Sequence, residues 1–410
     1  RLSLKDIRGQ HRQTEITFQG QGEAKSDGWW LDLKPFAVDR LSSTNELLNA
    51  LPEPMAESLR TTDFQGSINL LGRVILTHGL VDPGVQRPLE RSNPLPAGVV
   101  PGLQAQWELD CDVHRASLEI ATEELHDING TVTIMGVMEN DKVYNWGNLN
   151  LDTVMLWDSQ ATRVSGPFYL DNQRLALGTV APQLDPQAPQ KSVTANWLAG
   201  RLVLDGDIKL LENLPFGLVA SLNNARLEDF ADELAPQLDS LSGQARIGIQ
   251  LTGTADGTHT LSGLGSIRME NAQIYEIPMM LSMLKLLSVQ QMDRTAFNTS
   301  NIQFEIKGDR ILLRNIDFIG DAISLKGVGE IDLNRRVQAQ FHSTVGSSEK
   351  RIPVISDLFG VASRQILVIN VEGTLDEPTV TQVPFPLINE ALQNLLSLIH
   401  ISEPTRPPEI

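Results

Sequence analysis

The stretch from Asn301 to Phe341 reads NIQFEIKGDRILLRNIDFIGDAISLKGVGEIDLNRRVQAQF, and its apolar residues fall on every second position. Ile302, Phe304 and Ile306 form one set, and Ile311 and Leu313 the next. Ile316 and Phe318, Ile323 and Leu325, then Gly329, Ile331 and Leu333, and finally Val337, Ala339 and Phe341 continue it. Alternation of period two is what a half-buried strand requires, because successive side chains leave opposite faces of the pleat. Gly308-Asp309, Asn315, Gly320-Asp321 and Asn334-Arg335-Arg336 separate the blocks as short turn-formers. Links this short join antiparallel neighbours only, since a parallel pair needs a crossover of a dozen residues or more. The reading is an up-and-down antiparallel sheet with one apolar face.

Upstream, the same alternation recurs. Leu2 and Leu4, Ile16 and Phe18, and Trp29, Leu31 and Leu33 mark strands, and Phe64 to Leu70 resumes the sheet. Leu103, Ala105, Trp107, Leu109, Cys111 and Val113 share one face of a strand whose other face is Gln104, Gln106, Glu108, Asp110, Asp112 and His114. Strands follow at Ile128–Ile134, at Leu149, Leu151, Met155 and Trp157, and at Leu198–Ile208. The Pro-rich run Leu80–Pro101 and the Pro/Gln-rich run Ala181–Gln190 read as loops. A degenerate repeat runs through these pieces, an apolar residue followed two positions on by Gly: Phe64/Gly66, Ile128/Gly130, Leu198/Gly200, Leu241/Gly243, Leu261/Gly263 and Leu325/Gly327. Helices are expected over Asn45–Ala50 with a second turn through Leu59, over Arg226–Leu238, over Ile277–Val289, and over the shorter Pro353–Ala362 and Leu387–Leu395. Modules are expected at 1–100, 101–190, 191–260 and 261–395.

With 410 residues the chain can bury a large core, and 20% charged with 41% hydrophobic residues is ordinary for a folded protein. A net charge of −18 argues against nucleic acid or an anionic membrane surface as the main partner. Cys111 is the only cysteine, so no intrachain disulfide forms, and its strand parity predicts a buried structural thiol. No run reaches the roughly 18–20 apolar residues of a membrane span.

Chemistry-bearing constellations are sparse. Asp110, Asp112 and His114 share a strand face, which suits a solvated polar surface or, with help from elsewhere, a metal. Glu123, Glu124 and His126, and the lone His11, His78, His259 and His342, lack metal-ligand spacing. The Gly263/Gly265 and Gly327/Gly329 pairs lie inside strands, away from the strand-to-helix context of a phosphate loop. No catalytic, cofactor or metal residue is assigned, and the expectation is a protein that is not an enzyme. The segment Ile277–Val289 is apolar nearly all round; Met279, Met280, Met283, Leu284 and Leu287 belong either to a core helix or to one beside lipid.

Leu261–Ile267, the apolar segment Ile277–Leu287, the meander with Gly320–Ile331, and Val371–Pro378 occur in an order that resembles the C-terminal region of AsmA-like proteins of Gram-negative-type envelopes, related to TamB and the bridge-like lipid-transfer proteins. The resemblance covers about a third of the chain at motif level. It implies a mostly β fold, a long curved antiparallel sheet forming an open, taco-like groove of degenerate repeats with a few short helices at the ends. It further implies phospholipid as partner, transfer between inner and outer membranes, and a periplasmic location with an inner-membrane anchor helix expected upstream of residue 1. Envelope proteins are possible partners, and no nucleic acid is expected. Groove positions at strand parity are Trp107, Leu109, Ile267, Met269, Phe304, Ile306, Leu313, Phe318, Leu325 and Ile331. The alternative is a structural or outer-membrane assembly protein whose apolar face is packed dry; a hydrolase on a β-scaffold is the third reading. Residues 396–410 resemble a translated sequencing adaptor and are set aside, the other reading being a helix end with a Pro-rich tail.

Overall fold

The computed structural model describes residues 1–26, 28–42, 65–79, 103–120, 123–139, 142–182, 189–238, 241–272, 280, 282–283, 299–320, 323–345 and 367–383. The expected helices at 45–59, 353–362 and 387–395, the whole loop at 80–101 and the adaptor-like tail lie outside them. The chain forms two compact units, residues 1–239 with 244–265, and residues 240–243 with 266–410. The modules expected at 1–100, 101–190 and 191–260 lie almost wholly in the first unit.

The described residues are mostly strand, in long antiparallel sheet, as the alternation requires. In the first unit β1 (Leu2–His11), β2 (Thr14–Lys25), β3 (Gly28–Ser42), β4 (Gln65–Gly79), β5 (Leu103–Ile120), β6 (Glu123–Glu139), β7 (Lys142–Leu156) and β8 (Ser159–Asp171) pair in sequence order, each antiparallel to the next. Strand β8 then pairs with both β9 (Arg174–Leu177) and β10 (Val193–Trp197). Both of these join β11 (Gly200–Lys209), which continues to β12 (Phe216–Arg226) and β13 (Gln244–Gly253). Strand β14 (Ser262–Glu270) carries the boundary between the units. In the second unit β15 (Thr299–Lys307), β16 (Arg310–Ile319), β17 (Ile323–Asp332), β18 (Arg336–Val345), β19 (Leu367–Thr374) and β20 (Pro378–Val383) form one meander.

The meander departs from the sequence reading at one link. Asn315 does not turn the chain: β16 runs straight through it, and Arg314 and Asn315 form a bulge between the pairs Leu313↔Gly329 and Ile316↔Gly327. The extra residue switches parity, so Leu313 and Ile316 both stay on the apolar face although three positions apart. Leu333 likewise leaves that face, standing 49% exposed at the β17–β18 turn.

Bulges perform the same correction in the first unit. Asp39 and Arg40 stand opposite the single Asn69, and His114 and Arg115 opposite the single Asn129. Arg40 and Arg115 have φ of 53° and 43°, and the backbone N–H of each donates to the asparagine Oδ1 across the strand at 2.9 Å. After the second bulge the apolar set moves from odd to even numbers, from Val113 to Ala116 and Leu118, without leaving its face. The recurrent Gly of the sequence repeat also has a physical cause. Gly66, Gly130 and Gly243 have φ of 125°, 133° and 121°, and a Cβ on each would stand within 2.7 Å of a neighbouring strand's or segment's Cα, at Ala116, Leu151 and Ala272.

The one regular helix longer than a single turn among the described residues, α1 (Leu227–Leu234), forms where Arg226–Leu238 predicts it. Glu228 and Asp229 favour its N-terminus, and Pro236 follows its end. Its Glu233 Oε2 accepts from the Ser159 hydroxyl at 2.5 Å, and Ser159 Oγ in turn accepts from the Trp197 indole N–H at 2.6 Å. Ser159 is fully buried and held at both ends, so this trio fastens the helix to the β8 and β10 strands and offers no accessible nucleophile. No helix among the described residues is long and apolar enough to cross a membrane.

Candidate functional site: the apolar face of the first unit

Strand register places the alternating side chains in rows that cross the sheet. One row runs Leu4, Gly20, Leu33, Val74, Trp107, Gly136, Asn145, Leu170 from β1 to β8. The next runs Ile7, Phe18, Phe36, Gly72, Leu109, Ile134, Gly147, Phe168. A third runs Gly9, Ile16, Val38, Leu70, Cys111, Val132, Leu149, Gly166. Flanking rows add Leu31, Leu76, Ala105, Met138 and Val143 on one side, and Leu41, Ile68, Val113, Leu151 and Val164 on the other. At about 4.8 Å between strands and about 6.8 Å between same-face residues, this face is on the order of 900 Å². Within that footprint Leu33, Val38, Ala105, Cys111, Val113, Met138, Val143, Leu151 and Phe168 are buried, and the remaining side chains are half-buried or exposed.

Among the described residues, the two clusters on this face are built from its own strands. Cys111, Val113, Ala116, Ile128 and Leu151 form a cluster with Ile68, Leu70, Leu118, Leu125, Val132, Ile134, Val154 and Val164, all from β4 to β8. A second cluster joins Ala105, Met138 and Val143 to Leu76 and Trp107, again within the sheet. No helix or second layer contributes to either cluster among the described residues. Trp107, Leu109, Val132, Ile134, Leu70 and Val74 are consequently only half-buried.

Trp107 lies flat across its neighbour. A Cβ on Gly136 would stand 2.3 Å from Trp107 Cε2, so the indole occupies the space that a side chain on β6 would fill. The ring's Nε1–H reaches past β6 to donate to Asn145 Oδ1 on β7 at 3.2 Å. Cys111 sits in the adjacent row, 5% exposed; burial, with Asp112 adding to it, pushes its thiol up to about 12. Because the thiolate is the reactive form, a disulfide reagent at pH 8 should leave Cys111 unmodified in the folded protein and react fully in denaturant. A raised folded value also sets the sign of the pH dependence: the stabilisation from this thiol is complete below the unfolded value near about 8.5 and is lost as pH rises toward 12. Rapid labelling without denaturant would contradict this placement.

The opposite face is mixed: Val137 and Trp146 are buried on it, and acidic residues stand beside them. Glu108, Asp110 and Asp112 are exposed on it, Asp110 accepts from the Thr133 hydroxyl at 3.1 Å, and Arg73 makes a bidentate pair with Asp32 at 2.8 and 2.7 Å. No group of His, Cys, Asp or Glu among the described residues has the geometry of a metal site.

The second unit carries its apolar rows differently. Ile306, Ile311, Ile331 and Val337 form one row, and Phe304, Leu313, Gly329, Ala339 and Val371 another. Ile302, Ile316, Gly327, Phe341 and Ile369 form a third, and Ser300, Phe318, Leu325 and Ser343 a fourth. Leu325, Phe341, Ile369 and Val371 are 0% exposed, and Phe318 stacks on Phe341 with ring centroids 6.1 Å apart. The centre of this face is closed.

The sequence-derived groove positions therefore divide. Trp107 and Leu109 lie together on the half-open face of the first unit. Phe304, Ile306, Leu313 and Ile331 share one face of the second unit and are half-buried, Phe318 and Leu325 share that face and are buried, and on β14 Ile267 is half-buried and Met269 buried. Met280 and Met283 are helical and wholly buried; Met279, Leu284 and Leu287 lie outside the described residues. Leu70, Val74 and Ile134 escaped the sequence reading because only register brings them beside Trp107 and Leu109. Gly136 carried a signal, being a glycine inside an alternating strand; Asn145 carried none.

Comparison with family models, with curated proteins and with solved structures gave no match for this chain.

Proposed function

We propose that the chain is a lipid-binding segment of an AsmA-like envelope protein, that the apolar face of β1–β8 holds phospholipid acyl chains, and that the segment supports lipid transfer between inner and outer membranes. The observation that carries this reading is the half-open face itself, on which Leu70, Val74, Trp107, Leu109, Val132 and Ile134 stay half-buried. Each acyl methylene buried there contributes about 0.8 kcal/mol, so a single chain supplies ample affinity without a charged or catalytic group. The acidic residues of the opposite face, Glu108, Asp110 and Asp112, stay in water. In this reading the protein works in the periplasm, anchored to the inner membrane, and performs no covalent chemistry.

The test is native mass spectrometry of the purified chain with lipid extraction. Phospholipid at one or more per protein that survives gel filtration supports the proposal. A folded protein that carries none, and takes up none from vesicles, overturns it. The closed face of the second unit, with Leu325, Phe341, Ile369 and Val371 wholly buried, favours the other reading, a structural or outer-membrane assembly protein with a packed sheet, which would then lead.

A further inference from the structure

Asn145 is the one amide, hydroxyl or charged side chain in the three central rows that cross the apolar face from β1 to β8. Its orientation follows from chemistry. The Trp107 indole nitrogen can only donate, so the amide atom facing it at 3.2 Å must be the carbonyl oxygen. The Nδ2 group is thereby turned away from Trp107, and among the described residues it donates to nothing. Asn145 is half-buried, so this donor is accessible from the face. Around it stand Val143, Gly147, Gly136 and Leu170, none of which has a side-chain polar atom.

Water reaches this donor in the lipid-free protein, and a ligand that covers it must supply an acceptor or leave it unpaired at a cost. We propose that Trp107 and Asn145 form a station for an acyl carbonyl: Nδ2 donates to the carbonyl oxygen while the chain beyond it lies along the indole and the neighbouring rows. The station rests on the lipid-binding reading and adds to it a place where the polar-to-apolar junction of an acylated lipid stops. A sugar ring also stacks on tryptophan, but it presents several hydroxyls, and the side chains of the three central rows offer them no second partner. Gly136 belongs to the station because any side chain there would lift the indole and release the amide.

The experiment compares retention of three lipids by the full chain. Vesicles of phosphatidylethanolamine with two ester-linked oleoyl chains are set against the ether-linked twin, which lacks the carbonyls, and against ceramide, whose carbonyl is an amide. Wild-type protein should retain ester over ether lipid by about 3- to 10-fold, the range one net hydrogen bond supplies. Asn145→Leu should bring that ratio to about 1 by lowering ester retention alone. Ceramide held above the ether lipid assigns the station to acyl carbonyls in general, and ceramide held at the ether level assigns it to esters. A wild-type ratio of about 1 with both glycerolipids retained overturns the station and leaves lipid binding standing. Retention of neither lipid overturns both. Should Asn145→Leu not fold, the wild-type ester-to-ether ratio still decides.

Discussion

Replacing Phe341 with alanine should lower the stability of the second unit by about 3–5 kcal/mol, the usual cost of deleting a fully buried aromatic side chain. Phe341 is 0% exposed, stacks on Phe318, and covers Gly327 so closely that a Cβ there would stand 2.5 Å from its Cδ1. The glycine leaves a slot shaped for the ring, so the sheet cannot refill the space by a side-chain rotation, and the aromatic pair adds about 0.5–1.5 kcal/mol to what area alone gives. Hydrogen exchange of the β16–β19 amides is the measurement of choice, because all the tryptophans (29, 30, 107, 146, 157 and 197) lie in the first unit and would not report the change. Loss of protection across β16–β19 is the expected result. Protection equal to wild type would mean that Phe341 is not the centre of this core.

Placing a carboxylate in the middle of the open face should act on lipid and not on the fold. Leu109→Asp is expected to cut phospholipid retention at least about tenfold, since a charge pressed against acyl chains without a partner costs well over the 1.4 kcal/mol that a factor of ten represents. Leu109 is half-buried, its row partners are Gly72 and Ile134, and water still reaches it in the lipid-free protein, which limits the damage to folding. Leu71→Ser is the control: Leu71 is 57% exposed and pairs with Asp110, on the opposite face. It should leave retention unchanged. If the Leu109 variant stays folded and holds as much lipid as wild type, the β1–β8 face is not where lipid sits. Mass spectrometry of the two variants side by side, with their circular dichroism, gives the answer.

These two experiments separate the two units by what their apolar faces do. The rows share the same alternation, yet the second unit's face is closed at its centre, at Leu325, Phe341, Ile369 and Val371, while the centre of the first unit's face, at Trp107, Leu109 and Ile134, is half-open. Alternation alone cannot distinguish them, because a strand facing a packed core and a strand facing a ligand both need every second residue apolar.

The sequence by itself determined the element type, the antiparallel pairing and the single apolar face, because strand periodicity and turn length are local properties. It also determined the parity of Trp107, Leu109, Phe304, Leu325 and their neighbours, and the burial of Cys111. Parity was lost at Arg115 and Asn315, where a bulge inserts one residue that no local pattern announces, and the turn read at Asn315 was the result. Tertiary structure decided what depends on register between strands distant in sequence: that Trp107 crosses Gly136 to reach Asn145, that Asn145 stands alone in the three central apolar rows, and that Met280 and Met283 are buried. Each of these joins residues through pairing or burial, and a one-residue slip would have undone it.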